Sequence, residues 1–174
     1  HVIVRFGLNV FDKIDNLRNS NLAQNSDKIV ITIGYNKHPA QQHLKILDQI
    51  NKLDKSLIDK IELKLPLTYG PNNIEYINQI KTQVYNLGCK YSFYEQFLSE
   101  EEMANLCVDS NIMIQLQTTD AFSGSMQEYM YAGNVVVTGK WLNYNSLKNE
   151  GIFFYEIEQF EELSGTLKKI IQNF

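Results

Sequence analysis

The sequence contains no apolar run approaching the ~18 residues that cross a bilayer. No secretory leader is visible, and the first residue is His1 rather than Met, which reads as a trimmed start. No basic stretch exceeds two residues and the net charge is −4, so a nucleic-acid surface is not expected. Cysteine is scarce: Cys89 and Cys107 stand at no metal-ligand spacing and are too few for a disulfide scaffold. Both read as ordinary thiols of a reducing cytoplasm. No Gly-x-Gly-x-x-Gly string follows a strand, which argues against a nicotinamide-binding domain. What remains is 174 residues, 44% hydrophobic and 21% charged, enough for one globular domain with a real core.

Residues 1–27 read as a linker or entry segment: Val2 to Phe6 as a short strand, Gly7 to Val10 as a turn, residues 12–27 as irregular polar chain. Residues 28–174 alternate strand and helix. Ile29 to Ile33, Ile61 to Leu67, Tyr91 to Tyr94, Ile112 to Leu116, Val135 to Val137 and Ile152 to Tyr155 read as strands. Helices are expected from Pro39 to about Leu53, from Ile74 to Leu87 with Gly88 as cap, from the Ser99/Glu102 capping box through Cys107, from Ser125 to Ala132, and from Phe160 to Ile171. Such alternation predicts an α/β fold: a doubly wound, Rossmann-like parallel sheet of about six strands with helices on both faces. In the common order 3-2-1-4-5-6, strands one and four meet at the switch point, and ligands bind outside their carboxyl ends. The loops concerned are Gly34 to His38 and Thr118 to Gly124.

The second of these loops leads into the stretch that bears most on function. Asp120 lies in it, Ser123-Gly124-Ser125 open a helix, and Glu128 follows Asp120 by eight positions inside an otherwise apolar helix. A helix start with free N–H groups favours an anion, and equally accommodates a routine Ser N-cap. Glu128 reads either as a solvated surface residue or as a carboxylate that accepts two ribose hydroxyls.

Asp120-x7-Glu128, with Phe122 between them, Met130 and Gly133 after them and a Val-rich strand beyond, resembles the E-x7-E segment of GT-B glycosyltransferases of the family 4 kind. Gly7-Leu8-Asn9-Val10 resembles the linker into the C-terminal domain of such enzymes. A second resemblance runs from Gly34 to Phe153. Gln41-Gln42-His43 and Pro66-Leu67-Thr68-Tyr69-Gly70, followed by Asn73, Glu75, Tyr76 and Ile77, resemble the fucosaminyltransferases of enterobacterial common antigen synthesis. Those are inverting GT-B enzymes that use a dTDP-sugar and lack the acid matching Glu128.

These resemblances imply the C-terminal, donor-binding half of a GT-B glycosyltransferase, for bacterial surface polysaccharide synthesis in the cytoplasm. The donor would be a UDP-, GDP- or dTDP-sugar; the acceptor, a glycan or lipid-linked molecule, would reach the site through an N-terminal domain outside this sequence. Peripheral membrane association belongs to that full protein, and this fragment alone is expected to be inactive. The implied donor-binding residues are Asp120, Phe122, Ser123, Gly124, Ser125 and Glu128, with Gly34, Asn36, Lys37, His38 and His43 on the first loop. Tyr35 and Ala40 stand where family 4 enzymes carry the Arg and Lys that hold the diphosphate, which leaves Lys37, His38 and His43 as substitutes. No metal or cofactor is implied. Tyr94, Gln96 and Phe97 follow the third strand, where they either stack on a base or pack in the core. A non-catalytic Rossmann-like binding or interaction module is the rival reading. A receiver domain is disfavoured, since the first loop holds Asn36, Lys37 and His38 where an acidic cluster is needed.

Overall fold

The computed structural model describes residues 9–19, 27–120 and 123–174. Six parallel strands form one sheet: β1 (Ile29–Ile33), β2 (Ile61–Pro66), β3 (Lys90–Tyr94), β4 (Ile112–Gln115), β5 (Val135–Gly139) and β6 (Tyr155–Ile157). Their order is β3-β2-β1-β4-β5-β6, the doubly wound arrangement, with β1 and β4 adjacent at the switch point. β1 and β4 are apolar runs buried on both faces, as parallel strands between helical layers must be.

One layer holds α2 (His43–Ile50), α4 (Ile74–Leu87) and α8 (Leu163–Ile171). Their apolar faces, including Ile46, Ile50, Ile80, Val84 and Leu167, pack on Ile31, Ile33, Leu63 and Ile114. The other layer holds α1 (Asn9–Asn19), α5 (Glu100–Val108) and α6 (Gly124–Tyr131), which bury Ile14, Leu106, Met126 and Tyr129 against Met113 and Val136. Two short helices, α3 (Lys55–Ile58) and α7 (Asn145–Asn149), are also present, and a 3-10 turn, Phe160–Glu162, forms the start of the helix expected from Phe160 and leads into α8. Asn73 caps α4 through its side chain, Gly88 ends it at φ +68°, and the Ser99/Glu102 pair closes the expected capping box on α5.

Several expectations need correction. Residues 12–19, expected to be irregular, lie within α1: Val10, Ile14 and Leu17 recur at helical spacing and bury one face on the α5/α6 layer. Residues 1–8, with the expected strand Val2 to Phe6, lie outside the described residues. The helix expected from Pro39 is broken. A 3-10 turn, Pro39–Gln41, is separated from α2 by Gln42 in the left-handed region at φ 59°. Gln42 is held there by its Nε2–H, which donates to the Leu116 carbonyl at 2.7 Å. The sixth strand starts later than Ile152, because Ile152 N–H closes α7 on the Leu147 carbonyl and Val137 pairs with Tyr155.

Candidate donor-binding site

At the carboxyl ends of β1, β2 and β3 lies a pocket of about 240 Å³. Tyr35, Tyr69, Phe97 and Met103 form its apolar and aromatic wall, while Ser125 and Glu128 supply polar groups from α6. Whole-ligand pockets usually measure about 300–1,000 Å³, so this one suits part of a larger ligand. A roomier hollow of about 560 Å³ lies between α2 and α4, but none of its lining residues, such as Leu44, Ile74 and Glu75, is buried.

Glu128 is 8% exposed, and no hydrogen bond or ion pair reaches its carboxylate among the described residues. Burial alone pushes its pKa up to about 7. A buried carboxylate without donors is costly, and a ligand that supplies hydroxyl groups would relieve that cost. The folded chain therefore keeps a proton on Glu128 between its ordinary 4.5 and about 7, where the unfolded chain has lost it. Stability from this group is complete below that window and declines as pH rises through it. Ligand hydroxyls favour the carboxylate form, so binding is expected to release protons near pH 7 and to weaken as pH falls below it. Calorimetry in buffers of differing ionisation enthalpy measures this. Equal heats in all buffers would remove Glu128 from the ligand contact.

Ser123 caps α6, its Oγ accepting Met126 N–H at 3.2 Å, and Gly124 and Ser125 form the first turn beside the pocket. Asp120 is half-buried in the preceding loop, where it accepts the Tyr144 hydroxyl. Burial first, then the Asp120 carboxylate, raises the Tyr144 pKa. Phe122 lies outside the described residues.

The first loop is tied inward more than was expected. Gly34 turns the chain out of β1 at φ +61°, where a Cβ would lie 2.8 Å from Gln41 Oε1 and 3.2 Å from His43 Nε2. His43 is fully buried, and burial lowers its pKa to about 4. It is a neutral imidazole beside Tyr76 Oη at 3.1 Å and supplies no charge to a phosphate at neutral pH. Asn36 is also buried, its Oδ1 accepting His38 N–H at 2.8 Å, while His38 Nδ1 accepts Ala40 N–H at 3.1 Å. Lys37 is half-buried, and its N–H donates to the Tyr69 carbonyl at 3.0 Å. The pocket thus brings together Ser125 and Glu128, with Lys37 and His38 on the loop against Tyr69–Gly70.

Tyr35 was passed over because it replaces a basic residue, yet it enters the pocket wall. Gln117 gave no sequence signal at all, and its Oε1 accepts both Tyr35 Oη–H (3.0 Å) and Gln41 Nε2–H (2.8 Å). Among the described residues no group of three or more His, Cys, Asp and Glu could hold a metal ion, and no helix is long and apolar enough to cross a membrane.

A family model described as 4-alpha-L-fucosyltransferase, glycosyl transferase group 56, matches residues 11–101. The chain belongs to this family. The match ends before α6, so the glycosyl transferase group 56 region carries Tyr35, Lys37, Tyr69 and Phe97 but neither Asp120 nor Glu128. No curated protein sequence matches. Among solved structures, Anabaena Alr3699/HepE in complex with UDP and glucose is similar at TM-score 0.72 and 15% identity, covering 97% of this chain and 46% of that one. A glycosyltransferase from Rickettsia africae is similar at TM-score 0.69 and 14% identity over 95% of this chain and 45% of that one. WaaG, a glycosyltransferase involved in lipopolysaccharide biosynthesis, is similar at TM-score 0.64 and 13% identity, over 92% and 42%. Identities this low establish the fold, and the chain spans less than half of each of these structures.

Proposed function

We propose that this chain is the donor-binding half of a glycosyltransferase that moves a sugar from a nucleoside diphosphate to a glycan or lipid-linked acceptor. The observation that carries the reading is Glu128, a buried carboxylate without a partner among the described residues, facing an aromatic pocket at the switch point. Its two oxygens suit the vicinal hydroxyls of a ribose, and Tyr35, Tyr69 and Phe97 suit a base. The first turn of α6 would receive the diphosphate, helped by Lys37 and His38, and Asp120 would meet the donor sugar. The presence of UDP in the HepE structures, which share this fold, supports a nucleoside-diphosphate donor. The acceptor site lies in a partner half outside this sequence, and the whole protein would serve bacterial surface polysaccharide synthesis at the cytoplasmic side of a membrane.

The donor base separates two versions of this reading. If Glu128 holds both ribose hydroxyls, UDP binds more tightly than 2′-deoxy-UDP or dTDP by about tenfold or more, the loss of one charge-assisted bond. The resemblance to fucosaminyltransferases favours dTDP instead, and a preference for dTDP in titration calorimetry would select that version. Failure of UDP, GDP and dTDP alike to bind would leave the rival, a non-catalytic Rossmann-like module.

A further inference from the structure

We propose that Gln117 is a positioning residue that locks the nucleoside pocket to the loop carrying Asp120, so that both parts of the donor site are set as one unit. The inference rests on the donor-site reading for its functional consequence, but the lock itself is a property of the free chain. Gln117 is 4% exposed and lies two residues past the end of β4. Its Oε1 takes Tyr35 Oη–H and Gln41 Nε2–H from the loop after β1. Its main-chain carbonyl takes Trp141 Nε1–H, 2.8 Å away, from the loop after β5. Beside it Thr118 N–H donates to the Ala40 carbonyl at 2.9 Å, and Gln42 Nε2–H to the Leu116 carbonyl at 2.7 Å. The loops after β1 and β5 therefore converge on one residue of the loop after β4.

An amide suits this place. Both lone pairs of Oε1 are used, and a carboxylate there would bury a charge with no cation bonded to it. Tyr35, at one end of the network, walls the pocket that holds Glu128; Asp120, at the other, lies three residues beyond Gln117. Pre-ordering both ends lowers the conformational cost of binding a ligand that touches both. A nucleoside diphosphate touches one end, and a nucleotide sugar touches both. The lock therefore serves the intact donor more than the bare nucleotide.

The test uses Gln117→Met, which keeps length without acceptors, and the milder Tyr35→Phe. In the free chain, hydrogen exchange at the Thr118 amide is expected to quicken in both variants, although neither substitution removes its Ala40 acceptor, while amides of α4 stay at parental rates. Parental exchange at Thr118 in both variants would overturn the lock. With UDP and UDP-glucose as probes, Gln117→Met is expected to weaken UDP-glucose roughly 3- to 10-fold more than UDP, the worth of one neutral hydrogen bond. The double variant should lose no more of that excess than Gln117→Met alone. Equal losses for both probes, or additive losses in the double variant, would make Gln117 a structural residue only. If the parent binds neither probe, the uridine version of the donor reading fails, and the exchange arm still decides the lock.

Discussion

Replacing Glu128 with Gln is expected to remove most nucleotide affinity while making the folded chain more stable above pH 7. The two effects share one cause. Glu128 is buried and lacks a partner among the described residues, so its ionised form destabilises the free protein as pH rises. The amide has the same shape and no charge, and it leaves no cavity. Two charge-assisted contacts with ribose hydroxyls become weaker neutral ones or a mismatch, at a cost of about 2–4 kcal/mol of binding. Thermal melts at pH 8 and pH 5 with calorimetry on UDP measure both sides. The melting temperature should rise at pH 8 and change little at pH 5, where Glu128 is already protonated in the fold. A variant that binds UDP like the parent would detach Glu128 from the ligand, and one that melts lower at pH 8 would show that its carboxylate has a stabilising partner.

Replacing Gly139 with Ala should cost stability, although a strand ordinarily gains from losing a glycine. A Cβ on Gly139 would lie 2.4 Å from Trp141 Cε2 and Cζ2. The backbone cannot yield, because Gly139 is buried in β5 and paired with Ile157. The indole has to leave, which breaks its hydrogen bond to the Gln117 carbonyl and its stacking on Phe160, whose ring centroid is 5.5 Å away. Losing a neutral hydrogen bond and an aromatic pair amounts to about 1–3 kcal/mol, and about 2–4 °C of melting temperature accompanies each kcal/mol in a chain of this size. With Trp141→Ala already present, Gly139→Ala should cost nothing further. An unchanged melting temperature for the single variant would mean that the indole does not rest on Gly139.

Much of the fold was legible because its signals are local. β1 occupies Ile29–Ile33 and α4 occupies Ile74–Leu87, as read, since an apolar run or helical period there ends in clear punctuation. Alternation and the handedness of crossovers pointed to a doubly wound sheet, and the observed order is the common one among those they allow. Helix α1 was hidden by its polar majority, even though Val10, Ile14 and Leu17 carry the period. The run Ile152 to Tyr155 misled, because only register with β5 shows that Phe153 is exposed and Tyr155 paired. The candidate site was legible where residues cluster in sequence, as from Asp120 to Glu128. It was illegible where Tyr35 meets Gln117 across 82 positions, because amide and phenol contacts have no period. His43 looked like a candidate cation by type, and only its burial makes it a neutral core residue.

Every strand runs the same way, so the sheet has two rims of different character. All the proposed ligand groups lie on the rim where strands end. The connections at residues 51–54, 87–89 and 149–151 return the chain to the opposite rim, which carries none of them. Attachment chemistry can use that difference. A surface tether, a dye or an inserted epitope at residues 149–151 would hold the molecule by its inert side and leave the mouth of the pocket facing solution.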